Sequence, residues 1–361
     1  MPLRPILIMA GGTGGHVYPA LAVADYLKRR GIPLLWLGTN QGLEAQLVPE
    51  KGFPLVTINI SGLRGKGLMK WIQAPVIVCI ALIQALIILV QRKPAVVLGM
   101  GGFVSGPGGL AAWLVRIPLC IHEQNAIAGF TNRLLAPLAH TVMEAFPKTF
   151  PGKVKAQTTG NPVRAEILEV NTPDKRMKVD NTGAMKILVL GGSQGARTLN
   201  KIVPQAIMLL PRDIQLEIRH HTGRNLYAET ETLYKELNCI ARLEPYIDDM
   251  AGAYAWADIV ICRAGALTIA ELSAVGVASI LVPFPFAVDD HQTMNAHYLS
   301  EQGGAVLIPE PEFTRENLGR LLSELYHSRA RLLTMAREAR ALAKPKATEQ
   351  VAELCLGVAY A

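Results

Sequence analysis

Short uninterrupted apolar runs recur along the chain, separated by longer stretches in which apolar residues return every three or four positions. Unbroken runs fit strands buried on both faces and the longer stretches fit crossover helices, so the pattern predicts an α/β fold with parallel sheets. Strands are expected at 6–10, 33–37, 55–60, 95–99, 118–122 and 140–143, with helices at 17–30, 42–51, 74–91, 105–115 and 127–138. Pro162 then blocks a helix, and an irregular charged stretch runs to Ala184. The alternation resumes with strands near 186–190, 214–219, 258–262, 278–282 and 304–308. The break at GNPVR (160–164) therefore divides the chain into domains 1–162 and 163–344, and a last helix, 345–360, is expected to return and brace the first.

The run Ile6–Met9 leads into Gly11-Gly12-Thr13-Gly14-Gly15, after which His16 opens an apolar-periodic helix (Val17, Leu21, Val23, Ala24, Leu27). Strand, bare-backbone loop and helix N-terminus together make an anion site, because glycines let backbone N–H groups approach and the helix dipole favours negative charge. The arrangement returns at ILVLGGSQGAR (187–197). Two such units half a chain apart imply two Rossmann-like domains facing a central cleft. The first loop lacks the third glycine of a dinucleotide fingerprint, since Val17 holds that position. No acidic residue closes the second strand, and no Gly-Lys-Ser/Thr marks a nucleotide P-loop. The competing reading is a tight turn with no ligand; the repeat, with Thr13 and His16 at the tip, favours a site.

Three further stretches lie where open α/β sheets bind ligands, after their strands. MGGFVSGPGG (100–109) is a second glycine-rich loop, and IHEQNAIAG (121–129) is a polar cluster with Asn125 entering a helix. CRAGALTIAE (262–271) turns at Gly265 into a helix carrying Thr268 and Glu271. That pair has capping-box spacing; alternatively, the helix start takes a diphosphate and the carboxylate takes ribose hydroxyls. VPFPFAVDDHQTMNA (282–296) follows with Asp289, Asp290, His291 and Gln292.

Charge is uneven: residues 1–162 hold 15 Lys and Arg against 5 Asp and Glu, whereas 163–361 hold 21 against 24. A basic first domain suits an anionic partner. The absence of aromatic stacking platforms, repeated basic helices and zinc spacings argues against nucleic acid and for an acidic membrane surface. Residues 74–90 are apolar except for Gln84. Seventeen helical residues reach only ~25 Å, short of a hydrocarbon core, and they lie between strands that must join one sheet. A crossover helix is expected, either fully buried or with an apolar outer face resting on a bilayer, with Arg64, Lys66, Lys70, Arg92, Lys93 and Arg116 around it in sequence. Five scattered cysteines without a C-x-x-C indicate reduced thiols in a cytoplasmic compartment, and the N-terminal apolar run is too short for a signal-peptide core.

In this order, GGTGGH, SGLRGKG (61–67), GMGGFVSGPGG, HEQN, GNPVR, GGSQGAR, YIDDM (246–250) and CRAGALTIAE closely resemble the MurG family. Its members are peptidoglycan glycosyltransferases that move N-acetylglucosamine (GlcNAc) from UDP-GlcNAc to an undecaprenyl-pyrophosphoryl-muramyl-pentapeptide (lipid I), giving lipid II. The resemblance implies a GT-B fold, inversion at the anomeric carbon and peripheral attachment to the cytoplasmic face of the inner membrane. It implies that Ile247 meets the uracil, Glu271 the ribose, and Ser193, Arg164 and the helix start Ala266, Leu267, Thr268, Ile269 and Ala270 the diphosphate. Gln292 and Asn125 would read the GlcNAc hydroxyls, with Thr13, Gly14 and Gly15 closing over the donor and the 100–109 loop cradling the acceptor pyrophosphate. Two departures are visible: helix 74–90 is more apolar than the family's amphipathic one, and Phe103 stands where some members have Tyr.

Displacing UDP with inversion needs a base opposite the leaving group and positive charge or dipoles at the diphosphate. His16 is the candidate base, at a helix N-terminus that favours the neutral imidazole. It could instead cap the helix or bind substrate, with Glu123 the reserve. Arg164, Ser193 and the 266–270 helix supply the electrostatics; no D-x-D follows a strand, so neither an essential metal nor a cofactor is expected. Another GT-B enzyme (a UDP-GlcNAc epimerase, or a transferase with a different lipid acceptor) and a non-catalytic membrane-docked UDP-sugar sensor are the competing functions.

Overall fold

The computed structural model describes residues 3–60, 68–177, 183–192 and 194–360; the SGLRGKG motif and Ser193 lie outside the described residues. The first unit covers residues 1–164 and 346–361, and the second covers 165–345.

In the first unit the chain runs β1 (Ile6–Met9), α1 (Gly14–Arg29), β2 (Leu34–Gly38), α2 (Leu43–Glu50), β3 (Leu55–Thr57) and α3 (Leu68–Arg92). It continues through β4 (Val96–Gly99), α4 (Ser105–Leu114), β5 (Leu119–Glu123), α5 (Phe130–Leu135), β6 (Thr141–Glu144) and β7 (Ala156–Thr158). The strands form one parallel sheet in the order β3-β2-β1-β4-β5-β6-β7. Unbroken apolar strands are required because both faces are covered. Ile6, Ile8, Trp36, Val96 and Leu98 pack with α1, while Leu7, Met9, Leu37, Val97 and Ile121 pack with α3, α4 and α5. The final helix, named α15 below, adds Val351, Ala352 and Cys355 to the α1 layer.

The second unit opens with two one-turn helices, α6 (Ala165–Leu168) and α7 (Pro173–Arg176). Then come β8 (Met185–Leu190), α8 (Arg197–Ile207), β9 (Leu216–His221), α9 (Tyr227–Glu236), β10 (Arg242–Glu244), α10 (Met250–Trp256), β11 (Ile259–Cys262) and α11 (Ala266–Val275). It closes with β12 (Ala278–Leu281), α12 (His291–Ser300), β13 (Ala305–Leu307), α13 (Arg315–His327) and α14 (Arg329–Ala341), before α15 (Ala347–Ala359). Its parallel sheet has the order β10-β9-β8-β11-β12-β13.

Several local features depart from the pattern-based expectation: β3 is three residues long where a strand over 55–60 is expected, and α3 begins at Leu68, six residues before the expected start. Residues 127–138 form the short α5 followed by a 3-10 turn, Ala136–Leu138, because Pro137 lacks the N–H that would carry the α-helix onward. The edge strands β7 and β10 have no apolar run to announce them: AQT and RLE are half-exposed. Helix α1 begins at Gly14, with Thr13 as its N-cap, so His16 lies inside the first turn.

Helix α3 is the crossover from β3 to β4. Ala74, Ala81, Ala85 and Leu89 face inward, and the small alanines let the helix lie close to α4. Gln84 accepts a hydrogen bond from Asn59 N–H at 2.8 Å. Val76, Val78, Ile80, Ile83, Ile87 and Val90 remain 39–62 % exposed, so of the two expectations for this helix the apolar outer face is the one found.

Candidate functional site

Each sheet grows outward in both directions from a central pair of strands. From β1 the chain proceeds to β2 and β3 on one side, and from β4 to β5, β6 and β7 on the other. In the second sheet the corresponding pair is β8 and β11. Where neighbouring strands send their connections to opposite sides, a crevice opens at their carboxyl ends, and open α/β folds bind ligands there. The four stretches that follow these strands are GGTGGH after β1, MGGF after β4, GGSQG after β8 and RAGA after β11.

In the first unit the two glycine loops fit together only because side chains are missing. A Cβ on Gly102 would come within 2.2 Å of the Gly11 carbonyl oxygen, and one on Gly101 within 2.4 Å of His16 Nδ1. Both residues have positive φ, 96° at Gly101 and 84° at Gly102, which suits glycine. The His16 imidazole thus rests on the bare backbone of Gly101, and its Nδ1 is 3.1 Å from Gln124 Oε1. Arg164 lies over the ring of Tyr18, two residues further along α1, at 5.7 Å. Thr13 is exposed at the loop tip, Gly14 starts the helix, and Gly15 is exposed in its first turn.

A residue that sequence reasoning missed holds this loop from below. Glu44 is fully buried; its Oε2 accepts from Gly12 N–H at 2.9 Å, and its Oε1 accepts from Thr39 N–H at 2.9 Å and Thr39 O–H at 2.7 Å. Side chains at Gly11, Gly38 or Gly42 would collide with it, at 2.7, 2.7 and 2.1 Å. The legible signal was the cluster of glycines around Thr39 and Glu44, immediately after the strand that lacks a terminal acid. Glu123, the reserve base, is also buried and saturated. It accepts from Asn125 N–H (3.0 Å), Asn125 Nδ2 (3.2 Å), Gly129 N–H (2.9 Å) and Asn132 Nδ2 (2.8 Å). Such a carboxylate organises the HEQN turn, and its four accepted hydrogen bonds weigh against it as a base. Asn125 is consequently held in place by Glu123, and its carbonyl oxygen accepts from Thr149 O–H.

In the second unit Gly195, with φ 79°, lies so close to the end of β9 that a Cβ would meet the Thr222 carbonyl oxygen at 2.0 Å. Thr222 is itself fixed by a buried network: Asn200 Nδ2 donates to its carbonyl oxygen and to Thr230 Oγ1, each at 2.9 Å. Asn200 Oδ1 faces His220 Nε2 at 3.0 Å, and His220 Nδ1 meets Tyr234 O–H at 2.8 Å. Burial pushes His220 down to about 3, so this imidazole is neutral.

Helix α11 starts at Ala266 with Gly265 as N-cap and no acidic residue in its first turn. Thr268 is therefore inside the helix, and the capping box that its spacing with Glu271 suggested does not form. The N–H groups of the first turn point out of the helix end, where the helix dipole is positive. Glu271, 6 % exposed, accepts from Tyr254 O–H at 3.0 Å. Ile247 is buried, so what it can offer a base is backbone. Of the Asp pairs, Asp249 caps α10 by accepting from Gly252 N–H at 2.8 Å, and Asp290 accepts from Thr293 O–H at 2.7 Å. Asp289 and Asp290 both take left-handed backbone, which Asp tolerates better than most residues, and turn the chain into α12. That turn brings Gln292 Oε1 to Phe284 N–H at 2.9 Å.

Residues 6–144 match the N-terminal domain of glycosyltransferase family 28, and residues 186–351 match its C-terminal domain. The UDP-N-acetylglucosamine--N-acetylmuramyl-(pentapeptide) pyrophosphoryl-undecaprenol N-acetylglucosamine transferase of Nitrosococcus oceani is 54 % identical, with 98 % of each chain covered. The enzyme of the same name from Marinobacter nauticus is 49 % identical, covering 99 % of this chain and 98 % of its own. The crystal structure of Acinetobacter baumannii MurG superposes with a TM-score of 0.84 at 42 % identity, covering 98 % of this chain and 99 % of that one. With relatives this similar over their full length and both halves of family 28 in place, the chain belongs to the MurG family of N-acetylglucosaminyltransferases.

Proposed function

We propose that the chain transfers GlcNAc from UDP-GlcNAc to the lipid-linked muramyl-pentapeptide pyrophosphate, lipid I, forming lipid II. The observation that carries this reading is the His16 imidazole, seated on Gly101 and bonded to Gln124 at the β1/β4 switch point. It stands in a chain about half identical to transferases named for that donor and acceptor. His16 takes the proton of the acceptor hydroxyl as that oxygen bonds to the anomeric carbon. The bond from this carbon to the β-phosphate oxygen breaks, and UDP leaves with the electron pair. Attack opposite the leaving group inverts the centre. The first turn of α11 (266–270), Arg164 and Ser193 offset the charge gathering on the diphosphate. Glu271 accepts from the ribose hydroxyls, the backbone at Ile247 meets the uracil, and Gln292 and Asn125 read the sugar. Thr13, Gly14 and Gly15 contribute to donor binding, and the 100–109 loop holds the acceptor pyrophosphate.

The acceptor's lipid tail calls for a bilayer, and the outer face of α3 supports peripheral attachment there. Trp113 and Leu114 at the end of α4, and Phe130 and Leu134 on α5, extend its exposed apolar side chains along helices packed in sequence. Arg92, Lys93, Arg116 and Arg133 supply positive charge on or beside the same helices. The setting proposed is the cytoplasmic face of the inner membrane. Transfer of labelled GlcNAc from UDP-GlcNAc to a lipid I analogue tests the activity, with UDP-GalNAc as the control donor. Labelled product from UDP-GlcNAc is expected; none from either donor would remove the assignment.

A further inference from the structure

The hydrogen bonds around Gln124 fix which way its amide faces, and that orientation reaches His16. Gln124 follows β5 and bridges the loops after β1 and β4. Its Nε2 is 2.9 Å from the Met100 carbonyl oxygen, an atom that can only accept, so the amide nitrogen must face Met100 and the amide oxygen must face His16. The second Nε2 hydrogen lies between His122 Nδ1 at 3.2 Å and the His122 carbonyl oxygen at 3.4 Å. That nitrogen can accept only if His122 carries its proton on Nε2, where the Gly160 carbonyl oxygen waits at 3.0 Å. Burial holds His122 down to about 4, so a single proton is what this ring has. Asn161 Nδ2 donates to the Gln124 carbonyl oxygen at 2.9 Å and fixes the backbone. Two backbone carbonyls thus set the direction of the whole relay, and at its end an amide oxygen, which only accepts, faces His16 Nδ1 at 3.1 Å.

We propose that Gln124 is a positioning residue that keeps the His16 proton on Nδ1 and leaves Nε2 as the basic nitrogen. This deepens the reading of His16 as the base and rests on it. A free imidazole prefers its proton on Nε2, which would put the lone pair on the nitrogen turned inward against Gly101 and Gln124. The relay reverses that preference and presents the lone pair on the far side of the ring. His122 takes no part in the chemistry; its role is to orient the Gln124 amide.

The test uses full-length protein labelled with ¹⁵N in histidine. The His16 ring shifts are read by NMR, and kcat and KM for UDP-GlcNAc are measured with a lipid I analogue. The wild-type ring is expected as the Nδ1–H tautomer. Gln124→Met, similar in size but without an acceptor, is expected to move His16 toward Nε2–H and lower kcat about five- to tenfold. KM should stay within about twofold. Gln124→Glu loses the donor to the Met100 carbonyl but keeps an acceptor toward Nδ1, and is expected to keep the Nδ1–H tautomer and more of the rate than Gln124→Met. An Nε2–H tautomer in the wild type or in Gln124→Glu would overturn the proposal. So would Nδ1–H persisting in Gln124→Met, or a changed tautomer there with an unchanged kcat. If Gln124→Met fails to fold, the tautomer and rate of Gln124→Glu still decide. His16→Ala run beside these separates the two ideas: an unchanged rate there would remove His16 as base, while the ¹⁵N spectra alone would still report whether Gln124 sets its tautomer.

Discussion

Replacing Glu44 with Gln isolates the support beneath the β1 glycine loop. The carboxylate is fully buried and receives three hydrogen bonds, from Gly12 N–H, Thr39 N–H and Thr39 O–H. An amide has one acceptor. If its oxygen turns to Thr39, two bonds survive but lose the charge that roughly doubled their strength, and an NH₂ group meets the Gly12 N–H head-on. A hydrogen bond to a charged group contributes about 1.5–3 kcal/mol, and a buried donor left without a partner costs about 1–3 kcal/mol. Set against this, a neutral amide is cheaper to bury than a carboxylate. The net expectation is a loss of about 1–3 kcal/mol, or a fall of several degrees in the thermal transition of the first unit. Because Gly12 lies four residues before His16, kcat should fall as well, with little change in affinity for UDP, whose main partners are proposed to be in the second unit. Differential scanning calorimetry and steady-state transfer to a lipid I analogue read the two effects. A transition within about 0.5 kcal/mol of wild type, with unchanged kcat, would refute the idea that Glu44 anchors the loop.

Gly101→Ala should displace the His16 ring, since its Cβ would lie 2.4 Å from Nδ1, and lower kcat toward the ~10²–10⁴ loss of a missing base; a wild-type rate would show that the ring need not rest there. Glu271→Ala should weaken UDP binding by about 1.5–3 kcal/mol in calorimetric titration, and unchanged affinity would leave it a structural role, bonded to Tyr254. Serine at Ile83 and Ile87 should reduce flotation with anionic vesicles and spare UDP affinity. Wild-type binding should itself weaken as salt rises, so salt-independent attachment would sink the docking reading. Acid should destabilise both units: His122 and His220, held at about 4 and about 3, stay neutral when folded but protonate near 6.5 when unfolded. The unfolded chain then binds more protons, so stability present above about pH 6.5 is lost as pH falls towards 4, by on the order of 2 kcal/mol per histidine at pH 5. Flat thermal stability between pH 7 and pH 5 would contradict this.

Period alone gives the class of fold here. Uninterrupted runs such as ILIM and AVVLG, short and bounded by glycine or proline, fit strands covered on both faces, and the helical stretches between them imply parallel crossovers. The glycine loops are legible for the same reason, because several glycines between a strand and a helix have few other uses. Helix α3 shows where the sequence stops: its composition permits spanning, burial or an apolar outer face, and only packing of Ala81, Ala85 and Leu89 against the sheet layer selects the last. The site divides along the same line. His16 is visible as a polar residue on a glycine loop, but nothing local tells Glu123 from a base or Glu44 from a solvated surface acid. Each carboxylate's role depends on which backbone N–H groups the fold directs at it, and Glu44 is met by Gly12, 32 positions earlier in the chain. The same holds for Gln124, whose partners Met100, His122 and His16 converge from three strand ends. Hydrophobic period is a property of neighbours in sequence and so is written there; the direction of a hydrogen bond is a property of neighbours in space, and only the folded chain decides it.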